Sequence, residues 1–399
     1  MIRRTLLSAA GVATLLLSVV AAGAPVADAA GNGSGSLHSK RVCSATSSAT
    51  VASCSSKVLV NGKGAVPAST TPAPSAKTPA QLKDAYKLTG TSSGGRTVAI
   101  VDAYGYPNLA ADLATYRSYF GLPACTTASG CLSIKDQSGG TSLPRFNTGW
   151  AGEQALDVDA VSAICPDCKI LVVQAKSASI ADLGTAVNTA SKQAGVVAIS
   201  NSYGGGDLSD ATYGASYNHP GIAVTASTGD NGYQGGSFPA SSQYVTAVGG
   251  TPLTAASNTR GWSESAWSGA GSGCSTANPA LAAAASSGTG CAKRAIADVS
   301  AAADPSNGGM AVYYPTSKTA STWAQVGGTS ESAPIIAAVY ALSGNTAGYA
   351  NAIPYSHTAS LFDVSTGSNG TCPTTQWCTA RTGWDGPTGL GTPNGVSAF

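Results

Sequence analysis

The chain has 399 residues, of which 21 are Lys or Arg and 19 are Asp or Glu, giving a formal net charge of +2, while 43% are apolar and 49 are glycine. Such apolar content excludes intrinsic disorder for most of the chain. No block of Lys or Arg exists from which a phosphate-binding surface could be built, so DNA and RNA are not expected partners.

Residues 1–30 read as an export signal: Arg3 and Arg4 precede an apolar run over residues 6 to about 24, and Ala27-Asp28-Ala29 supplies a small-x-small pattern. Ser8, Gly11, Ser18 and Gly23 dilute that run, and no second apolar stretch approaches ~20 residues, which argues against a membrane anchor. The expectation is a secreted, extracellular protein without membrane association once the signal is removed; the two arginines leave the export route open. Residues 31–76, rich in Ser, Ala, Thr and Pro, read as a short pro-segment or linker. Residues 77–399 are then the functional body.

From Thr97 onward, short β-branched runs at 98–101, 170–173, 196–199 and 222–225 alternate with helical patterns, of which 181–194 is amphipathic. The alternation predicts an α/β fold with a mainly parallel central sheet flanked by helices, and roughly 320 residues suffice for one large domain. Ten cysteines suit an oxidising destination. Proximity suggests pairing Cys43 with Cys54, Cys125 with Cys131, Cys165 with Cys168, Cys274 with Cys291 and Cys372 with Cys378.

In a sheet of this kind, chemistry sits beyond the carboxyl ends of the strands. Asp102 follows the first run, Ser200-Asn201-Ser202-Tyr203-Gly204 the third, and Thr228-Gly229-Asp230-Asn231-Gly232 the fourth. Gly327-Gly328-Thr329-Ser330-Glu331-Ser332-Ala333-Pro334 leads into an apolar helical run at 335–342. A serine at such a helix start is a credible nucleophile, because the first helical N–H groups favour developing negative charge; it can equally be an N-cap without catalysis.

A serine nucleophile needs a base. Of the three histidines, His38 lies in the pro-segment, His219 precedes Pro220 and His357 stands in a loop, so a Ser-His-Asp arrangement has no good middle member. Glutamates number three: Glu153, Glu264 and Glu331. A helical reading puts Glu153 and Asp157 one turn apart on one face, where they should share a proton at mildly acid pH; a solvated acidic face is the plainer alternative.

Taken together, these residues resemble the sedolisins, or serine-carboxyl peptidases, whose fold is related to that of subtilisin. Glu153 with Asp157, Asp230 in its glycine-flanked turn and Ser330 in Gly-Thr-Ser-x-x-x-Pro stand in that family's chain order, and the likeness runs from Thr78-Pro79-Ala80-Gln81-Leu82 to the end of the chain. The resemblance implies a single large subtilisin-like domain and an acid-active endopeptidase acting on polypeptides. In it Ser330 is the nucleophile, Glu153 the general base, Asp157 its orienting partner and Asp230 the oxyanion donor. It further implies one structural Ca²⁺ near the C-terminus, held by the carboxylates of Asp363 and Asp385 and the carbonyls of Val364, Arg381 and Gly383. Arg381 stands where the family often has glycine, Gly327, Thr228 and Asn231 replace serines of its pattern, and its pro-domain is far longer than the stretch available here. A monomer is expected. A subtilisin-like peptidase using His219 and a non-catalytic secreted binding module remain the alternatives.

Overall fold

Strands buried on both faces read as unbroken apolar runs, and Thr97-Val98-Ala99-Ile100-Val101-Asp102-Ala103 has every residue buried. The computed structural model describes Met1, residues 36–345 and residues 347–399. The export signal expected at 1–30 lies outside the described residues, apart from Met1.

In chain order the elements that position the site are strands β1 (His38–Arg41), β2 (Ser53–Cys54) and β3 (Lys57–Val60), then helix α1 (Pro79–Ala85). There follow β4 (Thr97–Ala103), α2 (Leu109–Tyr119), β5 (Leu132–Asp136), α3 (Thr148–Ile164), β6 (Lys169–Ala175) and α4 (Ile180–Ser191). β7 (Val196–Asn201), β8 (Tyr203–Gly204), β9 (Ala223–Ser227), β10 (Thr246–Thr251), β11 (Val299–Ala302), β12 (Met310–Pro315), β13 (Ser321–Gly327) and α5 (Thr329–Ser343) complete the set. Local chemistry starts the helices: Thr78 and Gln81 form a reciprocal capping box ahead of Pro79, and the Ser179 hydroxyl accepts from the Asp182 N–H at the head of α4.

The central sheet has the order β11-β10-β9-β7-β4-β6-β5, and each neighbouring pair is parallel. Alternate residues of β4 enter different cores. Val98 and Ile100 pack with α3 and α5 residues such as Leu156 and Ile335, whereas Ala99 and Val101 pack with Leu183 and Val187 of α4. Helices therefore cover both faces, as expected. β4 is the first strand of this sheet in sequence yet sits inside it, between β7 and β6, so the chain winds outward from it in both directions. The crevice at the carboxyl ends of β4, β7 and β9 is the corresponding place for a site.

From Leu37 to Phe399 the chain forms one compact unit, which takes in most of the stretch read as a short pro-segment or linker. β1, β3, β13 and β12 build a second, antiparallel sheet, with Val58 against Val326 and Lys57 against Gly327. Val58 and Val60 are core residues. The strands are short and their partners distant in sequence, and the surrounding Ser, Ala and Thr carry no period of their own. All five disulfides pair as proximity suggested.

Candidate active site

Helix α3 is buried along nearly its whole length, so its acids cannot be a solvated face. Asn147 caps it by accepting from the Trp150 N–H. Glu153 and Asp157 are both fully buried, while Asp159, two residues on, turns away and accepts from the Tyr313 N–H on β12.

Ser330 is the second residue of α5. The N-cap position is Gly328, and the Ser330 hydroxyl donates to the Ser202 carbonyl at 3.0 Å, so Ser330 is not the helix cap. Gly328 has φ +109, and a Cβ there would stand 2.3 Å from the Ser55 carbonyl oxygen and 2.5 Å from Asp230 Oδ2; only glycine fits. Asp230, in the loop after β9, accepts at Oδ1 from the Thr329 N–H (2.8 Å) and hydroxyl (3.0 Å), while its other oxygen is buried without a partner.

The acids face few compensating groups. Glu153 accepts from the Ser56 hydroxyl, and its second oxygen is unpartnered. Asp157 accepts from the Ser202 hydroxyl at 2.8 Å, and its second oxygen is likewise unpartnered. Asp102, at the end of β4, is fully buried with both oxygens unpartnered. Burial pushes the Glu153 carboxyl well above the ordinary range; the Asp102 charge adds to the push, and the Ser330 and Ser56 hydroxyls oppose it. Burial likewise raises Asp157, with Asp102 and Glu153 adding. Asp102 is raised by burial to about 8. Asp230 is raised by burial to about 7, against the Thr329 N–H and the Lys57 ammonium. Asp102, Glu153 and Asp157, three neighbouring acids, are thus each pushed toward the neutral form.

The structure thus brings together Glu153, Asp157, Asp230 and Ser330. The sequence reading noted Asp102 and Ser202 but gave neither a role, and it missed Ser56 altogether. His219 stands elsewhere: its ring nitrogen lies 3.0 Å from the Ser216 carbonyl. Among the described residues no histidine is hydrogen-bonded to Ser330, Glu153 or Asp157.

Near the C-terminus the Gly383 N–H donates to Asp363 (3.0 Å) and the Arg381 N–H to Asp385 (3.2 Å), which gathers four of the five residues expected at an ion; Val364 is the buried neighbour of Asp363. Asp385 is pushed up to about 7, by burial first and with the Asp363 charge adding to it. The Arg381 guanidinium bonds Gln376 and the Thr382 carbonyl instead of either acid. A pair of carboxylates lacking a basic partner fits a hard divalent cation.

No family model matches the chain. Kumamolisin of Bacillus sp. (strain MN-32) is 31% identical over 367 residues, covering 81% of this chain and 63% of the relative, so the chain spans under two thirds of that protein's length. Tripeptidyl-peptidase sed1 of Aspergillus fumigatus is 42% identical over 77 residues, 17% of this chain and 12% of that protein. Among solved structures, a Pseudomonas sedolisin (serine-carboxyl proteinase) complexed with two molecules of pseudo-iodotyrostatin superposes with a TM-score of 0.66 at 24% identity, over 80% of this chain and 95% of that one. Sphericase shares the fold at a TM-score of 0.50 and 16% identity, over 78% of this chain and 96% of that one. In sequence this protein is similar to kumamolisin, and in fold to a solved sedolisin.

Proposed function

We propose that the chain is a secreted, acid-active serine-carboxyl endopeptidase that hydrolyses polypeptides. The observation carrying this reading is the buried set of Glu153, Asp157 and Asp230 around Ser330, with no histidine bonded to the serine or to Glu153 and Asp157 among the described residues. Ser330 attacks the peptide carbonyl, Glu153 takes its proton and returns it to the leaving amine, and Asp157, itself held by Ser202, orients and tunes Glu153. Asp230 donates to the oxyanion from the oxygen that Thr329 leaves free, a role open to it only while neutral. Since its carboxyl is raised to about 7, that donor is present in acid and fades as pH rises through neutrality. Export is supported by the signal-like pattern of residues 1–30; among the described residues no helix is long and apolar enough to cross a membrane. One Ca²⁺ between Asp363 and Asp385 would supply the positive charge that these two acids lack, with Val364, Arg381 and Gly383 offering carbonyls.

The test is hydrolysis of denatured protein from about pH 3 to pH 8 by the wild type, Ser330→Ala and Glu153→Gln. Strongest cleavage on the acid side and losses of ~10³-fold or more in both variants are expected. Equal cleavage by Glu153→Gln excludes the mechanism, and if His219→Ala abolishes that cleavage the histidine-dependent alternative gains. No hydrolysis at any pH favours a binding module.

A further inference from the structure

Residues 55–58 run past Ser330 in the register of a bound polypeptide. The Ser55 N–H donates to the Ser202 carbonyl (3.1 Å), and the Ser55 carbonyl accepts from the Ser330 N–H at 2.8 Å. The next side chain, Ser56, donates to Glu153. Beyond it Lys57 and Val58 pair antiparallel with Gly327 and Val326 of β13, the strand that leads into the nucleophile. Upstream, Cys54 is disulfide-bonded to Cys43, and both sulfurs lie within 4.8 Å of a Glu153 carboxylate oxygen, so the register is held on both sides. Successive side chains of an extended strand alternate: Ser56 faces the base, Val58 joins the core, and Lys57 is sent the opposite way.

Lys57 enters a cavity of about 550 Å³ beside Asp230. Its ammonium stands 5.0 Å from the centroid of the Trp267 ring and donates to the Asp230 carbonyl at 2.8 Å. Asp304 lines the same cavity, held in place by accepting from the Ser306 N–H (2.9 Å) and the Asn307 side chain (3.0 Å). Apart from Lys57 itself, the lining carries two acids, Asp230 and Asp304, and no base. The ring is fixed before anything binds. Trp267 is nearly buried, its backbone N–H donates to the Gly250 carbonyl (3.0 Å), and a Cβ on Gly269 would lie 2.4 Å from its Cζ2 atom, so glycine at 269 gives the ring its place. A ring face, a carbonyl and a carboxylate in one cavity suit a cation and offer less to an apolar or acidic side chain.

Resting on the peptidase reading above, we propose that this cavity selects a basic side chain, Lys or Arg, at the second residue after the peptide bond that Ser330 cuts in a polypeptide substrate. The strand itself counts the position: the carbonyl on the Ser330 amide belongs to residue 55, and the side chain in the cavity belongs to residue 57. Trp267 and the Asp230 carbonyl hold the cation, and Asp304 sets Lys and Arg apart from neutral side chains of like length. Neither the indole ring nor the backbone carbonyl titrates, so the preference holds on the acid side. Asp230 thereby serves twice, its carbonyl toward the cation and its carboxyl toward the oxyanion.

The experiment gives the full chain, at acid pH, peptides identical except for Lys, Arg, Met or Glu at the second position after a bond located by mass spectrometry, and compares kcat/KM for that bond. Lys and Arg are expected to exceed Met by ~10-fold, with Glu no better than Met. Trp267→Leu should bring the Lys-to-Met ratio to ~2-fold or less, and Trp267→Phe to an intermediate value. A ratio measured on one preparation does not depend on how much of it is folded. Asp304→Asn, which leaves the ring in place, should lower Lys and Arg toward Met. Equal cleavage of the Lys and Met peptides by the wild type, or a ratio untouched by both Trp267→Leu and Asp304→Asn, overturns this proposal and leaves the peptidase reading standing. Absence of cleavage of every peptide overturns the peptidase reading and this proposal with it.

Discussion

Asp102 has no partner for either oxygen and adds its charge to Glu153 and Asp157 from the end of a neighbouring strand. Its negative form makes the base harder to ionise, so Asp102→Asn should let Glu153 ionise at lower pH and move the acid limb of the pH–rate profile downward. A profile unchanged by the substitution would show that Asp102 stays neutral through the working range. This residue marks a limit of reading sequence. An aspartate after a β-branched run is visible, but its isolation from every donor depends on what packs above it. Ser330 shows the same limit: Gly-Thr-Ser before a helix is compatible with a cap, and only the third dimension assigns the cap to Gly328.

At the scale of elements, the helical period makes the pairing of Glu153 with Asp157 legible in advance, because residues four apart share a face. β2 and β3 were not legible. Their strand character comes from β8 and β13, far along the chain, and from a disulfide, not from any alternation of their own. The turn between β13 and α5 depends on Gly328. Gly328→Ala adds a Cβ into the space shared by the Ser55 carbonyl and Asp230, at a φ that L residues rarely adopt. The expected outcome is a stability loss of about 1–3 kcal/mol in denaturant unfolding together with lost hydrolysis. Wild-type stability and activity would mean that the turn relaxes easily.

Across the whole molecule, the raised acids set how stability follows pH. Asp102 and Asp230 bind protons more tightly folded than unfolded, so their contribution is complete below about pH 4 and is lost as pH climbs through about 7 to 8. Asp136 and Asp182 act oppositely: backbone N–H groups lower Asp136, and at Asp182 partial burial is outweighed by hydrogen bonds from Ser177, Gln137 and Ser179, so their contribution is lost as pH falls through their folded values. The melting temperature should therefore peak on the acid side and decline toward pH 8, as scanning calorimetry across pH would read; a steady rise over that interval contradicts the assignment. Chelation of calcium should lower the melting temperature of the wild type and leave Asp363→Ala unaffected, and equal behaviour of the two would argue against the ion.

The five disulfides close loops with sequence separations of only 3, 6, 6, 11 and 17 residues. None ties together parts of the chain that lie far apart in sequence, so each restrains a short local loop and the sheet and helices hold together without covalent ties. A reductant should accordingly loosen those local loops well before it dissolves the protein. Of the five, the bridge beside Glu153 is the one whose opening would be felt at the reacting atoms.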